Sequence, residues 1–448
     1  MERFEQLNTL LQSGNLTALR QALAGMNEVD IADFMQDLDK EKTLLVFRLL
    51  PKDLFADVFS YMEPDRQQLI VESISDKEVQ RVIDDLYMDD VVDFLEEVPA
   101  NVVKRVLRTV DKETRKTILE YLQYPRDSAA SLMTPEFVEF HERTKIVDAL
   151  QMIRETAMEK ETLDVIYVID QTHHLTGFTT LYKLITADEQ AQVADCMDKN
   201  VLSVHTLDDK EQVARTFTRY DLSAMPVVDH EGRLVGLITV DDIVDVIQDE
   251  NTEDMEIMAA MTPSEKPYLK TSVFDLAKHR VLWLLILMVS ATVTGRIISY
   301  YDGLLQTAVV LASFIPMLMD TGGNCGSQAS VMVIRGLALG EVEMRDILRV
   351  LWKELRVGLL VGVVLSVVNF GRIMLFEGVG TMVALTVSLS LFVTVVVAKC
   401  IGCALPIVAR RCGFDPAVMA SPFITTIVDA ISLVVFFNVA TNLLHLAA

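Results

Sequence analysis

The chain has 448 residues, 51% of them hydrophobic, and a formal net charge of −24. All the excess negative charge lies in the first part: residues 1–271 hold 54 acidic and 28 basic side chains, whereas residues 272–448 hold 10 and 12, which gives −26 and +2. The first part repels nucleic acid and attracts cations, and the two parts are written for different solvents.

The opening MERFEQLNTLL has no basic region leading into an apolar core, so it does not read as a secretory signal, and the soluble part is expected to be cytoplasmic. Four of the five cysteines (Cys325, Cys400, Cys403, Cys412) fall in the apolar half and Cys196 is alone in the soluble half, so no disulfide framework is expected. The Cys400-Ile-Gly-Cys403 spacing lacks a second pair or a nearby histidine, and we read it as small helix-packing residues. The seven histidines form no HExxH, and GxSxG and Walker motifs are missing, so the sequence does not read as an enzyme.

From Asp30 to Tyr121 the chain repeats short amphipathic units, such as VDIADFMQDL, LFADVFSYM and VVDFLEEV, punctuated by Pro51, Pro64, Pro99 and Pro125. Apolar residues recur at i, i+3 and i+4, and units this short cannot bury a face alone. Residues 1–128 are therefore expected to form one all-α domain of stacked, superhelical helices.

Residues 129–248 carry an internal duplication. Val168-Ile-Asp170 is followed by Gly177 and Thr180, and Val228-Asp229 by Gly236 and Thr239 at the same spacing; the halves open near Met133 and Met197. Each half passes through a helix-period stretch and then gives an apolar strand, a turn and another strand, a β-α-β-type duplication, and the stretch AMPVVDHEGRLVGLITVDDIVDVI makes the segment resemble a tandem α/β CBS-domain pair. CBS pairs commonly bind adenine nucleotides through a Thr and an Asp three residues later. Thr239 and Asp242 match that pattern, whereas Lys183 breaks it after Thr180. ATP is thus a ligand the resemblance allows at a single site, and a purely structural pair is the alternative. Residues 249–271 read as an acidic, then Met-rich, connecting helix.

Residues 272–448 read as an all-α polytopic membrane domain. Apolar runs at about 281–300, 305–334, 357–376, 380–407 and 417–445 give five transmembrane helices, at roughly 20 residues per ~30 Å of hydrocarbon. The loops 335–356 (Arg335, Arg345, Arg349, Lys353, Arg356) and 399–413 (Lys399, Arg410, Arg411) carry the basic residues and are expected on the cytoplasmic side. An odd number of spans then puts the C-terminus outside the cell (inner) membrane.

Two runs carry the chemistry. In the last span Ser421-Pro-Phe-Ile-Thr-Thr-Ile-Val-Asp429 places a carboxylate among apolar residues, at a cost of about 2.5–3.5 kcal/mol unless it meets water or a cation. In the second span the run from Pro316 through Asp320, Gly322, Gly323 and Asn324 to Gln328 clusters glycine with polar side chains at membrane depth, which is tolerated where backbone lines a cavity or packs closely.

These two runs, following a CBS pair and an acidic helical domain, closely resemble the MgtE family of magnesium channels, and the resemblance covers nearly the whole chain. It implies a homodimer in the lipid bilayer, five spans per protomer, a pore on the two-fold axis, and cytoplasmic domains that close the pore when Mg²⁺ is abundant. By the resemblance Asp429 is the pore metal residue; Thr425, a turn before it, and Asn324 would offer further oxygens to the hydrated ion. It implies regulatory Mg²⁺ sites at Asp89, Asp93, Asp209, Asp221, Asp242, Asp245, Glu250, Glu253, Asp254 and Asp415. Independently, the spacing Asp242, Asp245, Asp249, Glu253 puts carboxylates on one side of a helix, where they require counter-charge. The expected function is a Mg²⁺-selective channel or transporter gated shut by Mg²⁺. The alternatives are an ion-coupled carrier for another divalent cation such as Co²⁺, and an adenylate-sensing membrane regulator.

Overall fold

The computed structural model describes residues 2–264, 268–269, 271–419 and 421–445. They form two compact units, Met1–Ile247 and Gln248–Ala448.

The first unit begins with ten short helices, α1 to α10: Glu2–Gln12, Leu16–Leu23, Glu28–Gln36, Lys40–Leu49, Phe55–Ser60, Pro64–Ser73, Asp76–Asp85, Met88–Glu97, Ala100–Thr109 and Lys112–Tyr121. Their starts follow from local chemistry. Asn27, Asp39 and Asp111 accept backbone N–H groups at the first turns of α3, α4 and α10, Ser75 and Glu78 cap α7 reciprocally, and Pro64 opens α6. Helices of ten residues are marginal alone. Each is held by burying one face, through residues such as Phe34, Phe47, Phe59, Val79 and Val106. Phe59 meets Phe94 edge-on at 5.2 Å.

The duplicated segment folds as two matching three-stranded sheets. β1 (Glu139–His141), β2 (Ile166–Ile169) and β3 (Leu175–Thr179) make one; β4 (Val204–His205), β5 (Ala224–Val228) and β6 (Leu234–Thr239) make the other. In each, the first strand runs parallel to the second and the third antiparallel to it. The repeat glycines are required by a close crossing. A Cβ on Gly177 would lie 2.6 Å from the Asp198 carbonyl oxygen, and one on Gly236 2.8 Å from Met133 Sδ. At these points the Met197-Asp198 and Met133-Thr134 segments pair with β3 and β6. Helices α11 (Ile146–Thr156), α12 (Leu181–Thr186), α13 (Val193–Cys196) and α14 (Lys210–Tyr220) flank the sheets. The following α15 is one helix from Val240 to Met258, so the helical part of the expected connecting segment is the continuation of the last CBS helix.

The second unit holds α16 (Val273–Tyr300), the short α17 (Asp302–Thr307), α18 (Ile315–Ala338), α19 (Ile347–Phe376), α20 (Thr381–Arg411) and α21 (Ser421–Leu444). Among the described residues, four segments are long and apolar enough to cross a membrane: Val273–Tyr300, Met344–Phe376, Thr381–Arg411 and Pro416–Leu444. The second expected span is built differently. Residues 305–307 end α17, Val309–Phe314 form a 3₁₀ stretch, and α18 starts only at Ile315. Its 24 residues reach roughly 36 Å, enough to span. Its polar side chains make it less apolar than the other four, and it is covered on one side by α20 and α21, where Gly322, Cys325, Gly326 and Ala329 are buried. The basic loops are also shorter than expected: Arg349, Lys353 and Arg356 lie on α19, and Lys399, Arg410 and Arg411 on α20.

Candidate ion path and acidic cation site

Three of the four glycines of α18, Gly322, Gly323 and Gly326, set how closely the membrane helices approach. A Cβ on Gly322 would stand 2.8 Å from Ser432 Oγ and from Thr394 Cγ2, on Gly323 2.9 Å from Thr425 Cγ2, and on Gly326 2.9 Å from Ile424 Cγ2. On α20, a Cβ on Gly402 would fall 2.2 Å from the Gly326 carbonyl oxygen. Glycine is what lets α18 and α20 touch backbone to backbone and lets side chains of α21 reach the backbone of α18.

The remaining face of α18 is polar. Asp320, Asn324 and Gln328 stand four residues apart, which aligns them in one stripe, and all three are exposed on the protomer. Asp429, half-buried on α21, lies close enough to Asp320 for the two charges to repel. Thr425 and Thr426 donate from Oγ1 to the Pro422 carbonyl at 2.9 and 3.0 Å, leaving their own oxygens able to accept from water. A basic side chain meets the stripe at its other end, where Lys399 Nζ donates to Gln328 Oε1 at 3.5 Å.

A second gathering of oxygen lies in the soluble unit. α8 brings Asp89, Asp90 and Asp93; the loop entering β1 brings Glu136; Glu161 precedes β2; and Asp241 and Asp242 open α15. Met88 N–H donates to Glu136 Oε2 at 3.5 Å, Tyr87 Oη donates to the Lys160 carbonyl at 3.4 Å, and Thr239 Oγ1 donates to Asp242 Oδ2 at 2.8 Å. Glu161 Oε2 is buried with no hydrogen-bond partner.

The electrostatics follow from that crowding. Loss of water, then repulsion from Asp242 and Asp90, holds Asp89 well above the ordinary carboxylate range. Desolvation first and neighbouring carboxylates second push Asp90 up to about 6, Asp93 to about 7 and Glu161 to about 7. Asp242 rises to about 6 by desolvation, against the lowering effect of its hydrogen bond from Thr239. Among the described residues, no three His, Cys, Asp or Glu side chains are close enough together to hold a bare metal ion. The all-carboxylate donor set fits instead a hard cation that keeps its water and is gripped through it.

The comparisons decide the family. The chain is 35% identical to the magnesium transporter MgtE of Thermus thermophilus over 98% of both chains, and 30% identical to that of Bacillus subtilis over 97% of this chain and 96% of the relative. The chain belongs to the MgtE family. Family models described as the MgtE intracellular N domain, the CBS domain and a divalent cation transporter match residues 26–127, 193–249 and 315–439. A crystal structure of the cytosolic domain of the Mg²⁺ channel MgtE in complex with ATP is 36% identical, with a TM-score of 0.52, covering 54% of this chain and 99% of that one. MgtE relatives are thus named as transporters and not as enzymes.

Of the residues the MgtE resemblance marks, the soluble unit brings Asp89, Asp93 and Asp242 together, with Asp245 near enough to act on Asp242. Asp209 and Asp221 stand apart with local work: Asp209 caps α14 by accepting from Glu211 and Gln212 N–H, and Asp221 closes that helix at φ +52°. In the second unit Glu250, Glu253 and Asp254 lie on the later part of α15, and Asp415 accepts from Ala417 N–H at 2.8 Å. Asp90 and Asp320 were read from sequence only as members of the acidic and polar runs, without a role of their own, and Glu136 and Glu161 were not singled out. Asp320 was findable from its spacing to Asn324 and Gln328; Glu136 and Glu161 lie far along the chain from α8 and only folding reveals them.

Proposed function

We propose that this chain moves Mg²⁺ across a membrane along the polar face of α18 and α21, with Asp429 holding the ion, and that Mg²⁺ bound in the acidic cluster favours a closed state. The observation that carries the reading is the alignment of Asp320, Asn324 and Gln328 beside Asp429 on helices otherwise fit for lipid. Hydrocarbon does not tolerate such a stripe, so water and a second copy of the chain would cover it. A C₂ homodimer would set two Asp429 carboxylates across one path, with Thr425 and Asn324 as further oxygens for the ion's water.

Regulation follows from repulsion. Without cations the cluster carries carboxylates that share little water and no basic partner among those acting on them, a state that favours separation of α8 from α15. Mg²⁺ reverses the balance, and α15 is the element through which the change would travel. Asp209, Asp221, Asp245, Glu250, Glu253, Asp254 and Asp415 are assigned as weaker regulatory positions. The soluble unit would be cytoplasmic and the C-terminus external. The ATP-bound relative supports an adenine nucleotide at Thr239 and Asp242, where it would compete with Mg²⁺ for Asp242.

The test is cation uptake into liposomes holding the purified chain, compared across Mg²⁺, Mn²⁺, Ca²⁺ and Co²⁺. The reading expects Mg²⁺ uptake that Asp429→Ala removes. Co²⁺ uptake driven by a proton gradient, with Mg²⁺ ignored, would establish the coupled-carrier alternative.

A further inference from the structure

A basic residue lies inside the membrane unit that the function above does not use. Lys399 is 5% exposed and sits within α20, and its Cβ lies against Gly358 of α19, 3.7 Å from where a side chain would begin there. A buried ammonium surrounded by lipid-facing helices is costly unless it is paired. Its one hydrogen-bond acceptor among the described residues is Gln328 Oε1. The contact of Gly402 with the Gly326 carbonyl, one turn away, fixes α18 against α20 and keeps the lysine in place.

Gln328 is the third rung of the stripe. With its amide oxygen turned toward Lys399, what it offers the open face is the NH₂ group, a donor. Asp320, and Asp429 beside it, offer only oxygen, and Asn324 between them and Gln328 carries both an oxygen and an NH₂ group. The lining therefore changes along α18 from carboxylate acceptors to a donor backed by a fixed positive charge.

We propose that Lys399 is a positioning and rate-setting residue of the ion path. It orients Gln328 and sets an electrostatic sill roughly 12 Å along α18 from Asp320, which a divalent ion held at Asp429 must cross. The proposal rests on the ion-path reading given above. Even with the screening of bulk water, one elementary charge at that distance alters the passage of a doubly charged ion by about threefold.

The experiment is Mg²⁺ flux through the reconstituted full chain, measured in both directions at matched protein incorporation. Lys399→Met is expected to raise flux about threefold or more and to reduce its directional asymmetry. Lys399→Arg is expected to behave as wild type, and Gln328→Glu, which neutralises the sill with the lysine retained, to behave as Lys399→Met. Lys399→Met flux at or below wild type, or Lys399→Arg matching Lys399→Met, overturns the proposal; where Lys399→Met does not reconstitute, Gln328→Glu decides alone. Asp429→Ala in the same assay separates the two readings. If it conducts as wild type the path is misplaced, and if it is silent while the Lys399 and Gln328 variants are unchanged, only the sill fails.

Discussion

At the scale of single residues, Asp429 and Asp320 place two carboxylates near each other on helices that lipid surrounds, and neither has an ion pair among the described residues. Replacing Asp429 with Ala should lower Mg²⁺ flux at least about tenfold, the cost of roughly 1.4 kcal/mol in binding the ion, while Thr425→Ala should weaken it less because its oxygen only helps hold water; radiotracer or dye uptake reads both. The acidic cluster makes a prediction about pH. Asp90, Asp93, Glu161 and Asp242 have folded-state values near 6 to 7, above those of an unfolded chain, so the folded state binds more protons. Their contribution is fully favourable below about pH 4 and is lost as pH rises through about 7. In metal-free buffer the α8 backbone amides should therefore lose hydrogen-exchange protection between pH 5 and 8, after correction for intrinsic exchange rates. Added Mg²⁺ should restore it at pH 8, and Asp93→Asn should flatten the profile.

Among elements, the helix contacts of the membrane unit depend on glycine. Gly402→Ala would drive a methyl into the Gly326 carbonyl, where only backbone can yield, and should destabilise the bundle by about 1–3 kcal/mol, seen as a lower unfolding temperature in detergent. Gly303→Ala, with open space at that position, serves as the control. The duplication around Gly177 and Gly236 was legible because a close crossing demands glycine at the same offset in both halves. The short helices were legible because Asn27, Asp39, Ser75 and Asp111 announce their starts. The span 305–334 was harder: hydropathy does not separate the 3₁₀ stretch Val309–Phe314 from the helix after it. Lys399 was taken for a loop residue because topology is read from charge, and charge buried by packing gives the same signal. That Glu136 and Glu161 face α8 is a long-range fact that no local pattern encodes.

For the whole molecule, the division into an acidic unit and an apolar one follows from the charge partition, and in the proposed function the first would sense the ion and the second pass it. A stripe of Asp320, Asn324 and Gln328 exposed on one protomer predicts that the detergent-solubilised chain has twice the mass of a single copy by light scattering. The account's central claim is that one ion both passes Asp429 and closes the path from the acidic cluster. The direct measurement is Mg²⁺ flux through the reconstituted chain as Mg²⁺ is raised on the side of the soluble unit. The account predicts that wild-type flux falls as the cluster fills, and that the Asp89→Asn, Asp93→Asn, Asp242→Asn protein stays open over the same range. Equal closure of the two proteins would contradict it.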